Sequence, residues 1–134
     1  ACSRGTQSYI VPIYFAYDNN CLYSFSTVVQ KIEWMRANPR VCLEADEVKS
    51  QFDWKTVIAT GRYEELADTP ESRSERALAE RLLQQRYMAW QTPYEILHHR
   101  QAGENGPPVF YCIRIEHLTG LAATPEPFES AAAF

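Results

Sequence analysis

The chain has no apolar run near the roughly 20 residues that a membrane-spanning helix requires. It also lacks a basic start leading into an apolar core, the mark of a secretory signal. There is no surplus of positive charge: 13 Lys and Arg against 17 Asp and Glu leave a formal net charge of -4. Neutralising a nucleic-acid backbone needs cations gathered on one surface, so a duplex-binding role is disfavoured. Cysteines are few and unpaired. Cys2, Cys21, Cys42 and Cys112 never adopt the C-x-x-C spacing of zinc or redox motifs. The expectation is reduced thiols buried as small apolar residues, in a cytoplasmic protein. G-x-S-x-G, H-E-x-x-H, Walker and dinucleotide-binding motifs are all absent, as are internal repeats and heptads.

What is present has the balance of one globular domain: 134 residues, 46% hydrophobic and 22% charged. The domain is expected over residues 1–121, with an Ala/Pro/Glu-rich tail at 122–134 that frays. The chain opens at Ala1-Cys2-Ser3 without an initiator Met. These residues read as the end of a strand turned by Arg4-Gly5-Thr6, with an upstream strand expected before them.

Ser8 to Tyr17 is rich in aromatic and β-branched residues and reads as a strand. Asp18-Asn19-Asn20 turns it into a second, Cys21 to Ser26. Pro12 cannot donate to a ladder, so it marks an edge, a bulge or backbone left open for a ligand. Lys31 to Ala37 is a short helix, stopped by Asn38-Pro39. Val41 to Ala45 is a strand, Asp46 to Asp53 a polar loop, and Trp54 to Glu65 a strand with a bulge or close approach at Gly61. Thr69-Pro70-Glu71 starts a helix expected to reach about Trp90, with an apolar stripe through Leu78 and Leu82. Val109 to Leu118 closes the order as a half-buried strand. Short turns between consecutive strands imply antiparallel pairing, and so many strands in a small domain favour a mostly β fold closed into a barrel.

The chemistry concentrates at Ser24-Phe25-Ser26-Thr27, followed by Gln30-Lys31 at a helix start. Hydroxyls, free N–H groups and an ammonium together make a phosphate cradle. Ordinary helix capping by Ser26 or Thr27, with Lys31 on the surface, accounts for the same residues.

The succession from Ser8-Tyr9-Ile10-Val11-Pro12-Ile13, through Leu22 to Ser26, Gln30-Lys31 and Asn38-Pro39-Arg40-Val41-Cys42, to Trp54…Gly61 resembles a known family. It is similar to the split β-barrel flavoproteins related to pyridoxamine 5′-phosphate oxidase, in the nitroimidazole-resistance-type subgroup. The strand FYCIRIEHLTG resembles that family's closing strand. The resemblance implies an antiparallel split β-barrel and a homodimer with FMN near its interface. It implies that Tyr9, Ile10 and Val11 meet the flavin ring, and that Tyr23, Ser24, Phe25 and Ser26 line the ribityl and phosphate. Lys31 would pair with the phosphate, and Trp54, Thr56 and Val57 would approach from a neighbouring strand. Phe25, Val29 and Leu121 stand where relatives often carry His, Gly and a basic residue. No catalytic residue or particular substrate is therefore implied. The reading is an FMN-dependent oxidoreductase acting on an unidentified small molecule. A non-catalytic flavin- or haem-binding module and a deazaflavin protein are the alternatives.

His98-His99 with His117 could be read as metal ligands, but adjacent histidine side chains diverge, so solvated loop residues and no metal are expected. Glu64-Glu65 and Glu44…Glu47 read as solvated strand ends. Strand aromatics such as Tyr14 and Phe15 could stack bases on a barrel. The acidic balance favours core and interface packing instead.

Overall fold

The computed structural model describes residues 1–86 and 106–125. Seven strands and two helices follow in the order β1 (Cys2–Arg4), β2 (Gln7–Tyr9), β3 (Ala16–Asp18), β4 (Cys21–Ser26), α1 (Gln30–Ala37), β5 (Arg40–Ser50), β6 (Asp53–Glu65), α2 (Arg73–Gln85) and β7 (Val109–Ala123). The main sheet runs β3-β4-β7-β6-β5, every pair antiparallel, and β1-β2 forms a separate hairpin. The sheet is open. β5 meets the hairpin through two backbone hydrogen bonds between Ala1 and Cys42, while β3 is only three residues long.

The expected strand from Ser8 to Tyr17 is divided. β2 stops at Tyr9, β3 starts at Ala16, and residues 10–15 carry no ladder. Pro12 removes a donor in the middle of that stretch, and side chains hold the segment instead. Ser24 Oγ donates to Tyr14 O, Tyr14 Oη donates to Leu83 O, and the Arg86 guanidinium donates to Phe15 O. The Asp18-Asn19-Asn20 turn forms as expected, with Asn19 and Asn20 at φ 46° and 64°. These left-handed values suit asparagine and match the twist of a tight hairpin.

Two other expectations are corrected. The polar stretch from Asp46 is not a loop but the continuation of β5, which pairs Glu47 with Lys55 and Val48 with Trp54. Cross-strand partners, including the Glu47–Lys55 ion pair, override its low strand propensity. The second helix begins at Arg73 rather than near Pro70, because the Thr69 carbonyl first accepts from the Ser72 and Arg73 amides in a turn. Its expected extension to Trp90 lies outside the described residues. β7 also outruns its expected end at Leu118, reaching Ala123 beside Trp54.

Both faces of the sheet are covered at one end. Leu22, Val41, Tyr63, Tyr111 and Ile113 pack with Ile32 and Met35 of α1 on the inner face. Cys21, Tyr23 and Cys112 pack with Leu66 and Ala79, the latter from α2, on the outer face. Double coverage explains why CLYSFS shows no polar alternation: five of its six residues are buried. Three cysteines are buried free thiols as expected, but Cys42 is exposed, because its side chain points away from the core that Val41 enters.

Gly61 fixes the register of the long ladder. A carbon added there would stand 2.3 Å from the Arg114 carbonyl oxygen. The register shifts at this point, Thr60 opposite His117 and Gly61 opposite Ile115, leaving Glu116 as the extra residue of a bulge. Gly61→Ala should therefore lower stability by about 1–3 kcal/mol, the scale of an overpacked site. Gly120→Ala places its carbon 3.3 Å from Thr56 O and should cost less. Urea unfolding midpoints of the two variants check the ranking.

Candidate functional site

Alternation along the strands decides which expected site residues can act together. On β4, Ser24 and Ser26 share the inner face with Leu22, whereas Tyr23 and Phe25 point outward. The expected set is thus divided by the sheet itself.

Inside, Lys31 emerges from the first turn of α1, half-buried among Cys2, Tyr9, Val11, Met35 and Tyr111 around a cavity of about 40 Å³. Among the described residues it has no ion pair. Burial holds its ammonium below the ordinary value, against a smaller upward pull from Cys2. The α1 N-cap is Val29, with no side-chain capping bond, so neither Ser26 nor Thr27 spends its hydroxyl there. Ser24 and Ser26 are almost fully buried, and the Ser24 hydroxyl is committed to Tyr14 O.

Val11, Ile13 and Leu43 also border a second, larger cavity of about 420 Å³. Phe15, Tyr17, Leu22, Val57, Ile115 and Leu118 help to line it, and Glu44 is its one charged residue among the described residues. The bulge at Glu116 brings Ile115 and Leu118, three residues apart, to the same side. An unpaired cation at one end and a wide apolar groove at the other suit a ligand with an anionic tail and a flat apolar body. Ile10 lies between these regions in sequence and is 77% exposed.

The outer residues do different work. Phe25 stacks on Phe110 with ring centroids 5.5 Å apart, and Arg76 lies over that ring at 4.8 Å. Tyr23 Oη donates to Glu75 Oε1 at 3.1 Å. Glu75 and Glu64 both receive Arg114, at 3.0 and 2.7 Å. Burial, then Cys21 and Glu75, pushes the Tyr23 phenol up, while Arg114 holds the Glu64 carboxyl low. This network fastens α2 to the sheet. Trp54 and Thr56 sit on the far half of β6, where Thr56 donates to Glu44. Only Val57 of that trio borders the groove.

Among the described residues, no three His, Cys, Asp or Glu side chains stand close enough to hold a metal ion. His98 and His99 lie outside those residues. No helix among them is long and apolar enough to cross a membrane. Sequence reasoning missed Tyr111, Ile13 and Leu43 as cavity residues. Tyr111 pairs directly with Ser24, so its place followed from the β4–β7 register, which one-dimensional patterning does not supply.

Residues 1–122 match the family described as pyridoxamine 5′-phosphate oxidase. An uncharacterized protein of Rhizobium meliloti is 41% identical over 129 residues, covering 92% of this chain and 82% of that protein. An FAD-binding protein from Mesorhizobium loti is similar in structure with a TM-score of 0.68 at 38% identity, over 92% of this chain and 82% of its own. The FAD binding protein from Mycobacterium smegmatis has a TM-score of 0.59 at 19% identity, over 90% and 83%, a likeness of fold alone.

The depressed Lys31 gives a signed pH dependence. The unfolded chain binds this proton more tightly than the folded one, so raising the pH from the lowered folded value towards the ordinary 10.5 should stabilise the fold. Lys31→Met should lose that rise and be the more stable protein at neutral pH. Urea midpoints of both proteins across the alkaline range, compared as a difference, isolate the effect from the tyrosines.

Proposed function

Because the chain belongs to the pyridoxamine 5′-phosphate oxidase family, we propose that it is a flavin-binding oxidoreductase acting on a small molecule, with FMN as its cofactor. The observation that carries this reading is the unpaired Lys31 ammonium beside the apolar groove, with Val11, Ile13 and Leu43 common to both cavities. The residues present fit the group. Lys31 would hold the phosphate, and the groove lined by Phe15, Val57 and Leu118 would receive the ring. The Mesorhizobium loti relative, named for FAD, supports a flavin. FMN and FAD share the ring, the ribityl chain and its first phosphate, so the same residues would meet either.

When bound, the flavin supplies hydride acceptance and donation at its ring nitrogen N5. The chain's own residues orient that ring, exclude water from one side and neutralise the phosphate. Residues 10–15, free of ladder bonds, offer backbone N–H and C=O groups along the groove. In this reading Tyr9, Ile10 and Val11 contribute through that backbone, Ser24 and Ser26 support the phosphate side, and Tyr23 and Phe25 act by fixing α2 and β7 behind it.

A homodimer belongs to the same proposal. Val57 and Leu118 on the groove face of β6 and β7 are 44% and 54% exposed, Ile58 and Leu121 on the opposite face are 40% and 66% exposed, and Val48 and Phe52 of the β5–β6 hairpin are each 65% exposed. Exposed apolar residues in such number are characteristic of a contact surface. A second copy seated there would cover the open side of the groove and bring Trp54 and Thr56 towards a bound ring.

Purified protein should titrate with FMN, quenching flavin fluorescence, and Lys31→Ala should weaken binding by about 1–3 kcal/mol, the scale of a charge-assisted hydrogen bond. No binding of FMN or FAD would sink the flavin reading, while preference for FAD would change the cofactor alone. Reduction by a nicotinamide donor and reoxidation by an acceptor would separate an enzyme from a storage module. The double variant Val57→Asp/Leu118→Asp should sediment as a monomer and lose flavin. A monomeric wild type that still binds flavin would remove the interface from the proposal.

A further inference from the structure

We propose that Arg40 and Arg62 form a second ligand site on the outer face of the sheet, a clamp for the phosphoryl group of a small molecule. Strand alternation places both side chains there. Val41 and Tyr63 enter the inner core, so their neighbours Arg40 and Arg62 point the other way. The register sets Arg40 directly opposite Arg62, and Arg62 directly opposite Arg114. Three guanidinium side chains therefore form one row across β5, β6 and β7. Lys31 and the groove belong to the inner face, so this site stands apart from the flavin reading.

Like charges directly opposite each other destabilise a sheet, because their Cβ atoms stand only about 5 Å apart. One member of the row is answered from within: Arg114 meets Glu64 at 2.7 Å and Glu75 at 3.0 Å. Arg40 and Arg62 are exposed, and among the described residues neither guanidinium has a partner. Composition does not force this juxtaposition, since 17 acidic residues outnumber 13 basic ones. Glu64, two residues from Arg62 on the same face, is committed to Arg114. The next row on this face is Cys42, Thr60 and His117, all exposed and none acidic. Thr60 and His117 add a hydroxyl and an imidazole to the available donors. The carboxylates at the rim are Glu44, one row further on, and Glu116 at the bulge. The backbone beneath is pinned: the Arg40 amide donates to Asn38 Oδ1, and the Tyr63 amide donates to Pro39 O. Two guanidinium forks are thus presented side by side from a fixed ladder. A phosphate monoester carries three acceptor oxygens and nearly two negative charges, enough for both forks, whereas a carboxylate fills one. Its arrival would cancel the repulsion that the register imposes.

Melting temperatures in inorganic phosphate or glycerol 3-phosphate, against chloride at equal ionic strength, test the clamp. At low ionic strength without phosphate, Arg62→Gln should melt above the wild type, having lost the repulsion. Phosphate should then raise the wild-type melting temperature and leave Arg40→Gln and Arg62→Gln much less shifted. Lys31→Met, altered on the other face, should keep a phosphate shift that adding Arg62→Gln removes. Arg62→Lys keeps the charge and loses the fork, so it should shift less than the wild type. An equal shift in Arg62→Lys would mean an ion atmosphere only and overturn the proposal, as would a wild type indifferent to both phosphates. A shift abolished by Lys31→Met and kept by both glutamine variants would assign all phosphate binding to the inner face and reject the clamp. FMN affinity should be the same in Arg62→Gln and wild type; a loss there would make the row part of the flavin site and end the proposal. Salt-sensitive self-association lost in Arg62→Gln, with no phosphate shift, would give the row to a second copy instead. A phosphate shift of the predicted pattern in a protein that binds no flavin would keep the clamp and reject the flavin reading.

Discussion

The close approach of Gly61 to the Arg114 carbonyl is the constraint on which the rest of the structure depends. β6 and β7 pair from Glu65–Tyr111 to Trp54–Ala123, and that ladder joins the covered half of the sheet to its open half. A side chain at position 61 would push the strands apart at the point where the register shifts. With glycine there, Glu116 is accommodated as an extra residue and the alternation of β7 changes phase. Ile115 and Leu118 then both face the groove. Absence of one methyl group thereby shapes a cavity whose walls come from five separate strands and the segment at residues 10–15.

Helices on opposite faces of one sheet divide labour in the same economical way. α1 brings Lys31 to the inner face together with the core residues Ile32 and Met35. α2 is fixed outside through Glu75, which joins Tyr23 to Arg114. The two β4 neighbours Tyr23 and Ser24 therefore belong to different systems, one holding a helix and one facing a cavity, although they are adjacent in sequence.

Much of this was legible in the sequence where a local rule governs. The Asn19-Asn20 turn, the short helix ended by Pro39 and the special role of Gly61 each follow from the backbone preferences of those residues. Lys31 was legible as a site candidate because a cation at a helix start is a local pattern. What stayed hidden depends on partners distant in sequence. Asp46 to Ser50 looks like a loop until β6 lies beside it. The sharing-out of Tyr23, Ser24, Phe25 and Ser26 between two faces needs the β4–β7 register. Tyr111 reads as one more aromatic in an alternating strand, since nothing local reports that it faces Ser24 across the ladder.

Residues 10–15 have one further consequence. With no ladder to hold them, they are held by Ser24 of β4 donating to Tyr14 O and, at the far end of α2, by Tyr14 reaching Leu83 and Arg86 reaching Phe15. The wall of the groove is thus hung partly from a helix on the other side of the sheet. Substitutions in the last turn of α2 can widen or narrow the groove while every strand keeps its pairing. A lineage carrying this fold has a means of retuning what it admits without renegotiating its core, and selection can act on the helix end as an adjusting screw.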